Sequence, residues 1–178
     1  MWFKNIQCYR FSKDFEADIE TLEKLLSENG FVACASQEAT RSGFVPPLGR
    51  HGSEFVHQTN GYLMLCNKRQ DKLLPAAVVN EALEEQVLQI EESEMRKMPR
   101  KQRQSLKEEI TFSLLPRAFV RSSLQFAYIS PKDRMLVINA SSAKRAEEFI
   151  TELRDALGSL SVKPMLSKSQ PVDVMTQW

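Results

Sequence analysis

The side chains in this sequence best placed to do chemistry are cations. Between Arg96 and Arg121 stand eight of them, Arg96, Lys97, Arg100, Lys101, Arg103, Lys107, Arg117 and Arg121. Only Glu108 and Glu109 oppose them, so this stretch carries +6 while the whole chain carries +1. Clustered Lys and Arg neutralise phosphates and mark candidate nucleic-acid surfaces. The competing reading is a solvated helix face, which is what most charge runs are. Within the same stretch, Ser113-Leu114-Leu115-Pro116-Arg117-Ala118-Phe119-Val120-Arg121 sets two arginines around an aromatic ring, directly after a helix break. Guanidinium groups match phosphate with a rigid fork of donors, and an exposed ring can stack on a base or pack against a partner. Equally, Phe119 could be core and the two arginines ordinary strand exposure.

Groups suited to catalysis do not converge. His51 and His57 flank one loop and have no cysteine at metal-ligand spacing. The run Gly43-Phe44-Val45-Pro46-Pro47-Leu48-Gly49 superficially resembles a phosphate loop, but it lacks the lysine, and its prolines remove amide donors. Glu81, Glu84, Glu85, Glu91, Glu92 and Glu94 form an acidic run that reads as a solvated helix face. Cys8, Cys34 and Cys66 lie far apart in apolar stretches, as buried free thiols of a reducing compartment would. No catalytic residue, metal ligand, cofactor or small-molecule substrate is expected, and the protein is read as a non-enzyme.

The elements that must position the cations follow from periodicity. Trp2 to Phe11 alternates like a strand, and Ser12 or Asp14 could cap a helix running to about Asn29. A short strand at 31–35 and a loop centred on 43–49 come next. Asn60-Gly61, between apolar runs at 55–59 and 62–68, is the strongest hairpin signal in the chain. Pro75 opens a helix to about Met98, Pro99 breaks it, and a second helix over about 102–115 ends at Pro116. Strands at 118–129 and 135–140 flank a turn at 131–134. A helix capped by Ser141 or Ser142 then runs to Gly158, with a last strand at 162–166. The class is α+β, a mixed strand, hairpin and helix core with a projecting helical hairpin. It divides into a first core part at 1–74, the hairpin at 75–116, a second core part at 117–166, and the start of a further region at 167–178.

Composition sets the bounds. At 178 residues, 42% hydrophobic and 26% charged, the chain suits an ordinary globular protein. It has no apolar run long enough to span a bilayer and no secretory layout at its start, so a cytoplasmic location is expected.

The Ser-Leu-Leu-Pro-Arg-Ala-Phe segment at 113–119 resembles the central motif of the RdgC family, recombination-associated proteins of proteobacteria and some phages. Further blocks resemble that family in the same order: Trp2-Phe3-Lys4-Asn5 with Tyr9-Arg10, Ser36-Gln37, Gly43 to Gly49, and Leu73-Leu74-Pro75. Toward the end come Ser142-Ala143-Lys144, Ala146-Glu147, Leu153-Arg154, Leu157-Gly158-Ser159-Leu160 and Thr176-Gln177-Trp178. The resemblance implies a nucleoid-associated homodimer closed into a ring with a positively charged hole. It also implies binding to single- and double-stranded DNA, restraint of RecA-type recombinase, and no cofactor. Family members are considerably longer, and their ring closure needs contacts from both parts of the chain.

The leading reading is thus a DNA-binding protein without sequence preference that restrains recombinase access, with the eight cations on phosphate and Phe119 at a subunit contact. In it, the acidic helix of the hairpin faces away from DNA, while the basic helix, Arg117 and Arg121 share one concave surface. The alternative is a protein–protein interaction module without DNA contact, using the 75–116 hairpin as its docking surface. A third reading, an enzyme acting on nucleic acid, needs clustered acidic metal ligands that the helical spacing of the glutamates does not suggest.

Overall fold

The computed structural model describes residues 3–15, 18–165 and 176. The expected strand start at Trp2 and the sequence blocks that include Gln177 and Trp178 lie outside the described residues, as do the last residue of the expected strand at 162–166 and all but Thr176 of the expected region at 167–178. The fold is α+β. The chain divides into two units, one formed by 1–31, 43–68 and 124–178, the other by 32–42 and 69–123.

Six elements, all in the first unit except for the start of the third of them in the second, form a β-α-β-β-α-β arrangement. Ile6–Phe11 (β1) is followed by Ile19–Glu28 (α1); later come Phe119–Ser130 (β5), Met135–Asn139 (β6), Ala143–Leu157 (α4) and Val162–Pro164 (β7). β1 pairs antiparallel with β6 on one side and with β7 on the other, and β6 pairs antiparallel with β5. The order β5-β6-β1-β7 is the split βαβ pattern, in which each helical connection skips one strand. The register follows from period-two alternation. Tyr9 and Phe11, Ala127 and Ile129, and Leu136 and Ile138 point to one side, where they meet Leu22 and Leu26 of α1 and Phe149 and Leu153 of α4. Phe44 stands edge-on to Phe149 at 6.1 Å between ring centroids.

Local chemistry explains where the elements begin. The α1 helix is capped by Asp18, whose carboxylate accepts the Thr21 N–H at 2.5 Å. Ser12 and Asp14, the candidates from sequence, are not caps. Phe15, expected on the helix, instead packs from the preceding loop against Phe11, 5.2 Å between centroids. The α4 helix is capped by Ser142 and ends at Gly158, whose φ of 75° is left-handed. Asn60 and Gly61, with φ of 50° and 81°, make the two-residue turn joining His57–Thr59 (β3) to Tyr62–Leu73 (β4).

The expected strand at 31–35 is absent, and the expected loop at 43–49 instead begins inside a strand, Thr40–Val45 (β2). The cause is a close backbone crossing. Phe31 donates its N–H to the Phe44 carbonyl at 2.8 Å, and a Cβ on Gly43 would lie 2.6 Å from the Phe31 Cα. Gly43 therefore serves close approach rather than a loop.

The second unit holds Ala76–Glu94 (α2) and Arg100–Leu114 (α3), with the end of β4 and the start of β5. It has its own apolar cluster of Val79, Leu83, Val87 and Ile110, joined by Met98 and Leu106. The segment at 32–42 is tied to β4 by Cys34 N–H to Gln70 Oε1 at 3.1 Å and Lys72 N–H to the Ala39 carbonyl at 2.8 Å.

All three cysteines are free thiols, but only Cys66 is buried; Cys8 and Cys34 are half-buried. Burial pushes the Cys66 thiol up to about 12. An unfolded thiol titrates at roughly 8.5, so above about pH 9 the unfolded chain sheds a proton that the folded chain keeps, and stability falls as pH rises. At pH 8, iodoacetamide should leave Cys66 unmodified in the native protein and label it after denaturation. Mass mapping of the alkylated peptides checks this. Leu153→Ala, which hollows the cluster between α4 and the sheet, should cost about 2–5 kcal/mol in urea unfolding.

Candidate nucleic-acid interface

The α2 and α3 helices pack through one apolar seam, and its position decides where each charge can go. Leu83 and Val87 of α2 face Ile110 and Leu106 of α3. At 3.6 residues per turn, Arg100, Arg103 and Lys107 then fall along one flank of α3, beside that seam. They line a groove of about 350 Å³ together with Asn80, Glu84 and Gln104. Arg100 and Arg103 are exposed and Lys107 is half-buried, its aliphatic stem close to the seam.

Lys101 and Arg96 lie on the other flank. They border a second groove, of about 600 Å³, with Glu94, Glu109, Met98 and Leu106. Arg96 is held by Glu94, Nε to Oε2 2.7 Å. The turn between the helices is fixed by Glu91, whose Oε1 accepts the Met98 N–H at 2.7 Å. Met95, in the left-handed region at φ 51°, is 94% exposed there. Lys97 is exposed beside it, with no ion-pair partner among the described residues. Arg117 stands exposed in the helical turn Leu115–Arg117, and Arg121 stands exposed on β5. Neither borders either of these two grooves.

The eight cations are therefore not one surface. Three share a groove, two share the opposite one, and three stand outside both. Nor does the acidic helix turn wholly away. Glu81, Glu85 and Glu92 project from the outer side of α2, but Glu84 follows the seam residue Leu83 and so lies in the groove of Arg103, at 4.0 Å. An exposed pair at that distance is worth well under about 1 kcal/mol, too little to hold the arginine from another anion. Sequence reasoning missed Asn80, Glu84 and Gln104 as groove partners; the one available signal was the i, i+3, i+7 spacing of Arg100, Arg103 and Lys107 read against the seam.

Phe119 is 84% exposed, so it is no core residue of this chain. Strand alternation puts it on the same side of β5 as Arg121, while Ser122, on the other side, accepts from Gln70 Nε2 at 3.3 Å. His51 lies in the turn Gly49–His51 and His57 opens β3. Among the described residues no group of three or more His, Cys, Asp or Glu is placed to hold a metal ion, and no helix is long and apolar enough to cross a membrane.

The family model described as "Putative exonuclease, RdgC" matches residues 1–178. Proteins named recombination-associated protein RdgC align over the whole chain: 44% identity for Tolumonas auensis and for Aeromonas hydrophila, and 47% for Shewanella loihica. The chain spans 59% of the length of each of these relatives.

Removing the carboxylate that ties the turn tests how this interface is held. Glu91→Ala leaves the Met98 N–H without its acceptor and should lower stability by about 1–2 kcal/mol, read as an earlier urea midpoint.

Proposed function

Because the chain belongs to the RdgC family, we propose that it is a DNA-binding protein without sequence preference that modulates homologous recombination by restricting the access of a RecA-type recombinase to DNA. The observation that carries this reading is the groove bordered by Arg100, Arg103 and Lys107. Three cations at one-turn spacing meet successive phosphates, and none of them needs a base edge to do so. Binding by charge alone is blind to sequence, and a bound stretch of DNA is closed to a recombinase filament.

We read the protein as a binder rather than a nuclease, although the family description carries the word exonuclease. What supports this is the placement of the carboxylates, since Glu84 and Glu94 each sit against an arginine instead of facing one another. Lys97, Arg117 and Arg121 are assigned as outlying phosphate contacts, and Arg96 and Lys101 as contacts of the second groove. A homodimer, in the whole protein a ring on nucleoid DNA, has Phe119 as its proposed contact, because an exposed ring between two arginines can anchor a subunit interface. The second reading, a protein-docking module, is favoured by the exposed Met95 and Phe119.

Fluorescence anisotropy with two unrelated duplexes separates these. The wild type should bind both alike, and its affinity should fall by about 0.9 log units per log unit of salt for each phosphate contact. Arg100→Glu with Arg103→Glu should weaken both duplexes and flatten that slope by about 1.8. A flat salt response, or a double variant that binds as well as wild type, overturns the reading in favour of protein docking. Phe119→Ala should shift sedimentation toward monomer while leaving the melting temperature in place.

A further inference from the structure

Among the described residues, three other than glycine stand in the left-handed backbone region: Asn60, Arg134 and Met95, at φ of 50°, 52° and 51°. A side chain there crowds the backbone, so the conformation persists only where something nearby compensates it. Asn60 belongs to a two-residue hairpin turn that requires it. Arg134 is held by Asp14, Nε to Oδ1 2.5 Å. Met95 has neither reason. It closes α2 where glycine is the ordinary residue, and at 94% exposure its side chain gains almost nothing from its own chain.

The turn around Met95 is braced. Glu91 accepts the Met98 N–H at 2.7 Å, Arg96 reaches back to Glu94 at 2.7 Å, and Pro99 opens α3. Met95 is thus an apolar knob displayed from a fixed turn, which spares the entropy of ordering it on contact. By itself it suits a protein pocket as well as a nucleic acid; its neighbours decide. From Met95 to Gln104 stand Arg96, Lys97, Arg100, Lys101 and Arg103, with no acid among them. Of the acids just before it, Glu91 and Glu94 are engaged inside the turn. An apolar protein pocket would have to accept all this charge at its rim. A duplex offers phosphates to the cations and a base stack to the thioether. Arg100, the first residue of α3, also lies in the groove of Arg103 and Lys107, so knob and groove belong to one end of the hairpin.

We propose that Met95 is a wedge that enters a base step of bound duplex DNA from the minor groove, with Arg96 and Lys97 on the flanking phosphates. Such a side chain partly unstacks the step and kinks the duplex. The proposal rests on the DNA-binding reading and adds a contact that charge does not supply. A wedge releases no counterions, so its share of the affinity persists at every salt concentration.

The test uses the full chain and a duplex of roughly 30 base pairs with a donor dye at one end and an acceptor at the other. Binding of the wild type should raise energy transfer between the dyes. Met95→Gly suits the left-handed turn and so should fold at least as firmly. It should bind with about tenfold lower affinity, an unchanged salt slope and no rise in transfer. Met95→Leu keeps an apolar wedge and should behave as wild type. A Met95→Gly protein that bends the duplex as wild type does overturns the wedge, and so does a wild type that binds without bending. Should Met95→Gly instead lose self-association in sedimentation velocity with its DNA binding intact, the knob belongs to a second copy and the proposal falls. Failure of the wild type to bind the duplex at all sinks the parent reading, so the two failures are told apart.

Discussion

Everything in the first unit depends on a single alternation being kept in four strands at once. The residues of β1, β5 and β6 that meet α1 and α4 are odd or even together, and the paired registers leave no room to slip. A slip of one residue in β6 would turn Leu136 and Ile138 away from Leu153 and bring Val137 and Asn139 inward. The second face is fixed by the same rule, because whatever is excluded from the helices must appear there. Tyr128 stands beside Tyr62 for the same reason that Ile129 stands against the helices.

The helical hairpin obeys a different rule. Its seam fixes helix rotation, and rotation fixes which charges become neighbours. Opposite charge on two helices does not separate them into an acidic wall and a basic wall; it places residues flanking the seam side by side. Glu84 meets Arg103 because both adjoin the apolar stripe. The resulting surface is softer than a uniform cationic strip. Its acids weaken long-range attraction to phosphate, while exposed pairs give way cheaply to a stronger anion.

Much of this was legible in the amino-acid order, and the failures have common causes. Asn60-Gly61, Ser142 with Gly158, and Pro99 acted through local backbone chemistry, and the structure has the turn, the helix and the break where those residues stand. The cap of α1 was misplaced because Ser12, Asp14 and Asp18 are all competent caps, and which one acts is settled by the packing of Phe15 on Phe11. β2 was missed because Gly43 mimics a loop signal when its purpose is a backbone crossing 12 residues distant in sequence, at Phe31. The eight cations were legible as a run but not as a surface, since helix rotation depends on a seam that involves both helices. The aromatic row on the sheet face away from α1 and α4 was not legible at all: Phe3, Tyr128 and Tyr62, 5.7 Å and 5.8 Å between successive ring centroids, are neighbours only through sheet order.

The split βαβ pattern also sets the order in which this molecule can come into being. β1 precedes its partners β6 and β7 by most of the first unit, and Ile6 pairs with Asn139 across 133 positions of sequence. Closing so long a loop delays that pairing, and high mean separation between partners slows folding as a whole. The α2–α3 hairpin, by contrast, is local and can form while the opening strand is still waiting. A newly made chain therefore carries β1 unpaired, with Ile6, Cys8, Tyr9 and Phe11 unprotected, until the residues through Asn139 have left the ribosome.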